Sequence, residues 1–240
     1  MKTPKTGTAR AAVPLAALAL AFTAPAVASA HEGHDTGGGR GGGTTVATVQ
    51  LRPLNHSGAD GQGALVLRGD RVDIAFRVRG VLAGAPHAQH IHIGAQGRCP
   101  SQNADTSGDG IVNTTEGHPF YGHIGTSLTT TGDTSPASGL AVDRFPTPQG
   151  RSYTYRRTTT VTPDVANDIR SGKAVLVVHG IDPNRSGAYD GAAPSDLDPS
   201  LPLEATSPAA CGPFRTWRGG LGLGLGSDLD LGLDLAPGRR

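Results

Sequence analysis

The stretch RVDIAFRVR, from Arg71 to Arg79, alternates without a break: Val72, Ile74, Phe76 and Val78 fall on one side, and Arg71, Asp73, Arg77 and Arg79 on the other. A period of two is what a strand with one buried and one wetted face requires, and a helix would scatter such a pattern around its axis. TTVATVQL, GALVLRG, AQHIHIG and RSYTYRRTTTV are further strand candidates, while KAVLVVHG is apolar on both sides and belongs deep in a core. The turns between them are rich in Gly, Pro and Asp. One segment departs from this period. TPDVANDIRSG has a helix start at Thr162 and Pro163, Val165 and Ile169 on one face, and Gly172 beyond its end. About seven short strands and one short helix predict an all-β fold, an antiparallel β-sandwich.

Both ends of the chain lie outside that pattern. Residues 1–30 read as a signal peptide: Lys2, Lys5 and Arg10, a short Ala/Leu run, then Ala28-Ser29-Ala30, with cleavage after Ala30. The apolar run is too short to span a bilayer and nothing later resembles a membrane helix, so a secreted protein is expected. Residues 31–43, HEGHDTGGGRGGG, predict a flexible glycine-rich leader, with His31 at the new amino terminus a minor candidate for copper(II). Residues 215–240 read as a disordered low-complexity tail, which leaves 44–214 as the folded unit. The net charge of +1 suggests no basic face for nucleic acid or anionic lipid, and no protein partner can be read from the sequence. Export also makes Cys99 and Cys211 a structural bridge rather than a redox pair.

DTSGDGIVNTTE has the oxygen spacing of a calcium loop. Asp105, Ser107, Asp109 and Glu116 take positions 1, 3, 5 and 12, the Ile111 carbonyl takes 7, Asn113 takes 9, and Gly110 makes the turn at 6. Pro100 before it and Gly117 and Pro119 after it predict a loop without flanking helices, with calcium pinning a long excursion between strands. DPNRSGAYD, from Asp182 to Asp190, is a weaker echo that lacks an acid at position 12.

Histidines make the other constellation. His90 and His92 are alternate residues of a predicted strand and share a face about 7 Å apart, and His179 at the end of the KAVLVV run offers a third imidazole. Such a set suits copper or zinc, although spacing alone favours ordinary histidines. The order of the parts adds to this: GAPHAQHIHIG, then Cys99, a long loop, GKAVLVVHGID, and AACG with Cys211. It resembles the copper-zinc superoxide dismutases and the related CHRD domains over about Thr44 to Phe214. That resemblance implies a Greek-key β-sandwich, copper at His90, His92 and His179, a Cys99–Cys211 bridge, and a fourth ligand at His118 or His123, between which the sequence does not choose. The chain also departs from the dismutases. The calcium-like loop occupies the interval of their zinc loop, so zinc is not expected. Pro208 stands where they place an arginine that guides superoxide, leaving Arg215 or Arg218 to replace it. The expected function is a secreted, non-catalytic metal-binding module of the CHRD kind with structural calcium at 105–116. The alternative is a copper superoxide dismutase without a zinc site.

Overall fold

The computed structural model describes residues 43–217; the predicted signal peptide, nearly all of the leader and the tail beyond Trp217 lie outside the described residues. Six strands form at the expected segments: β1 (Thr45–Pro53), β2 (Asp60–Arg68), β3 (Arg71–Arg79), β4 (Gln89–Ile93), β6 (Ser152–Thr160) and β7 (Val175–His179). Two more, β5 (His123–Ser127) and β8 (Pro208–Thr216), bring the total to eight.

The expected all-β fold is observed, as one continuous antiparallel sheet in the order β5-β4-β7-β8-β1-β2-β3-β6. It curls so that Ile91, Ile93, Leu176 and Val178 of one half pack in the same core as Val49, Leu65, Ile74 and Phe76 of the other. Strand β8 joins the halves, since Cys211 pairs with Val177 of β7 on one side and with Arg52 of β1 on the other. A Cβ on Gly212 would strike the Gln50 carbonyl, so the close approach of β8 to β1 needs a glycine there. Asn55, buried in the left-handed region at φ 51° between β1 and β2, adds a polar tie. Its amide donates to the carbonyls of Val112 and Pro208 and its oxygen accepts the Val112 N–H.

Helix α2 (Pro163–Ser171) follows the predicted bounds. The Thr162 hydroxyl accepts the Val165 N–H, Gly172 ends the helix at φ 73°, and Val165, Ala166 and Ile169 are buried. The expectation of a single helix is not met, because α1 (Thr114–Tyr121) and the short α3 (Leu203–Thr206) also form. Helix α1 overturns the reading of a loop without flanking helices, for it begins at the tenth position of the calcium-like segment. The Asn113 side chain accepts the Glu116 N–H while the Glu116 carboxylate accepts the Asn113 N–H, a capping box that closes the first turn. Pro119 is carried inside this helix at the loss of one backbone hydrogen bond.

The small net charge conceals a segregation. Arg52, Arg68, Arg71, Arg77, Arg79, Arg156 and Arg215 are exposed on the outward face of β8-β1-β2-β3-β6, which carries only Asp60 and Asp73 as acids. No helix among the described residues is long and apolar enough to cross a membrane.

Candidate metal centre

Ile91 and Ile93 of β4 point into the core, so strand alternation sends His90 and His92 to the opposite face, in register with Val177 and Val175 of β7. His179 lies on that face too, just past a bulge between Val178 and His179; a second bulge interrupts the β4–β5 pairing between Ile91 and His92. Bulges re-aim side chains at the ends of ladders. The face is not open to water. Chain between the strands folds over it, and His90, His92 and His179 are 3%, 1% and 3% exposed. Their ligand nitrogens all lie within 4.8 Å of one another, a grouping that no other set of His, Cys, Asp or Glu matches among the described residues. The ring centroids are 5.2 to 6.1 Å apart.

One nitrogen of each ring faces a backbone carbonyl: His90 Nε2 to Gly139 at 3.1 Å, His92 Nδ1 to Gly122 at 2.8 Å, and His179 Nδ1 to Thr206 at 2.6 Å. A carbonyl only accepts, so each of those nitrogens carries the proton and the other keeps a lone pair. These other nitrogens, His90 Nδ1, His92 Nε2 and His179 Nε2, are buried and have no hydrogen-bond partner. Burial, joined for His90 and His92 by repulsion from neighbouring imidazoles, disfavours the charged form. It holds His90 well below its usual range, His92 at about 3 and His179 at about 4. Three neutral imidazoles, fixed in tautomer and with their free nitrogens within 4.8 Å of one another, could hold a metal ion.

Neighbouring side chains hold the rings in place. Tyr121 packs against His92 at 4.6 Å between centroids and donates to the Thr114 carbonyl, and Phe145 meets His90 edge-on at 5.4 Å. Gly122, whose carbonyl receives His92, sits at φ 89°, and a Cβ there would run into the Ile93 carbonyl. His87 is fully buried, with its ring nitrogens 2.9 Å from the His179 and Leu82 carbonyls. Nothing in the local sequence marks Tyr121, Phe145, Gly139 or Thr206 as parts of the site, because they arrive from three separate connections, β4 to β5, β5 to β6 and β7 to β8.

His118 and His123 are exposed and do not join the convergent group; one lies on the outer side of α1 and the other starts edge strand β5. Arg215 is exposed on β8 opposite Thr48, and Arg218, like His31, lies outside the described residues. Cys99 and Cys211 are bonded, with their Cα atoms 5.8 Å apart. The loop from Asp105 to Glu116 closes on its own carboxylates. Asp105 accepts the N–H groups of Gly108 and Gly110 and the Ser107 hydroxyl, Asp109 accepts the Ile111 N–H, and Glu116 accepts those of Thr106 and Ser107. Burial alone would raise the Glu116 carboxyl, but the donors around it outweigh that and lower it. In the Asp182 segment, Asp182 accepts the N–H groups of Ser186 and Gly187.

The sequence matches no protein-family model and no curated protein, so fold and site geometry carry the functional argument.

Proposed function

We propose that this chain is an exported copper-binding β-sandwich, of the kind resembled by the superoxide dismutases and CHRD domains, that holds one copper ion at His90 Nδ1, His92 Nε2 and His179 Nε2 without acting as a dismutase. The observation that carries this reading is the set of three buried lone pairs, each left free because its partner nitrogen donates to a backbone carbonyl. The donors are neutral and no carboxylate among the described residues joins them, so for copper the low-dielectric site favours the ion of lower charge, copper(I), over copper(II). The disulfide fits the oxidising compartment that the predicted signal peptide implies. Calcium at 105–116 belongs to the same reading. It is supported by the donor spacing and by α1 starting where the outgoing helix of such a loop starts, and its role would be to hold the long connection after β4.

The three histidines at family positions favour the dismutase alternative, but the surroundings do not. Pro208 replaces the guiding arginine, and no cationic side chain lines the cavity before the imidazoles. The test is the metal content of the mature protein after dialysis against copper(I) in a weak chelator. One copper per chain is expected, falling to none in His92→Ala while the disulfide and strand content persist. Copper retained in that variant would place the site elsewhere.

A further inference from the structure

We propose that the cavity in front of the three imidazoles admits only a small neutral molecule, of the dioxygen or carbon monoxide kind, to the bound metal and turns anions away. This rests on the copper reading above and names what that site accepts. The cavity holds about 50 Å³, enough for an ion and one or two molecules the size of water. Beyond the histidines its walls are aliphatic, set by Ile124, Leu140, Leu197 and Ala88, and no Lys, Arg, Asp or Glu lines it.

The two hydroxyls on the lining are already committed. Thr114 donates to the Thr206 carbonyl at 2.8 Å, and Thr206 lies 2.7 Å from Ser195 Oγ. An anion entering would shed its water and find no N–H or O–H on the walls in exchange, so that only the charge of the ion itself would hold it, whereas a neutral diatomic loses little hydration. The mouth points the same way. Leu140 and Leu197 are 38% and 44% exposed, so two large aliphatic side chains stay at the surface where they rim the site. Copper(I) on three imidazoles, a soft ion with an open position, binds neutral π-accepting ligands.

The experiment uses the copper-loaded mature protein in both oxidation states. The reduced form is exposed to carbon monoxide and read by the infrared C–O stretch; the oxidised form is titrated with azide and read by its copper charge-transfer band and paramagnetic resonance spectrum. One bound carbon monoxide per copper and an azide-silent cupric spectrum are expected. Leu140→Arg, at an exposed position, should bring in azide binding roughly tenfold or more tighter than in the parent. Azide binding to the parent as tightly as to the variant, or no carbon monoxide complex, would overturn the proposal while leaving the copper site standing. A protein that takes up no copper would overturn the copper reading, and this inference with it.

Discussion

At pH 7 each histidine of the cluster is neutral, because burial makes the imidazolium costly and the carbonyl partners fix only one proton per ring. In an unfolded chain the same side chains titrate near about 6.5. With folded values depressed to about 3 for His92 and about 4 for His179, the unfolded state of the metal-free protein binds protons that the folded state does not. Their contribution to stability is therefore complete above about pH 6.5 and is lost as the pH falls from there, through about 4 for His179 and about 3 for His92, by up to roughly 1.4 kcal/mol per pH unit for each group. Urea midpoints of the copper-free protein should hold level above about pH 6.5 and drop steeply between about pH 6 and about pH 4. A flat profile there would mean that the imidazoles protonate freely in the folded state. The sequence makes the three positions legible, through the His-x-His spacing and the VVH strand end. It does not reveal the tautomers, because the carbonyls of Gly139, Gly122 and Thr206 come from 49, 30 and 27 residues away.

The elements divide by how much of their stabilisation is local. Strand β3 and helix α2 are legible to the residue because their alternation, caps and stops lie inside them. Strand β8, PAACGPFRT, has two prolines and a glycine, and β5, HIGTS, is five residues with a glycine at its centre. Neither has strand propensity of its own, and each forms because a neighbouring strand holds it. Helix α1 is less legible for a related reason: Gly117 and Pro119 read as breakers, and Asn113 and Glu116 of its capping box also satisfy positions 9 and 12 of the calcium spacing. The loop and α1 therefore act as one unit, and the calcium reading is tested on it. Calcium should raise the melting temperature of the parent by mass action. Asp105→Asn, which keeps an acceptor for the loop N–H groups but removes a charge, should lose most of that rise. An equal calcium response in the two proteins would remove calcium from the account.

At the scale of the whole molecule, the disulfide connects the two things that the fold must hold together. Cys99 lies in the connection that leads from β4 to α1, and Cys211 lies in β8, the strand shared by both halves of the sheet. The bridge packs with Tyr121, Val175 and Val177 on the face that bears the histidines, so it fastens the segment whose Tyr121 and Gly122 position His92. The sequence makes the pairing legible because only two cysteines are present, but not this second role, which depends on where α1 ends. It closes a loop with a sequence separation of 112, and in the chain-entropy picture a loop of that length stabilises by about 4 to 5 kcal/mol. The double variant Cys99→Ser/Cys211→Ser, which leaves no free thiol, should lose about 2 to 5 kcal/mol in denaturant unfolding. Because the freed segment carries the Gly122 carbonyl that fixes the His92 tautomer, copper affinity in the fraction still folded should fall by about ten- to a hundredfold, as when an outer-shell partner is removed. A loss of stability with unchanged copper affinity would confine the bridge to the fold. A loss under about 1 kcal/mol would show that the sheet closes without it.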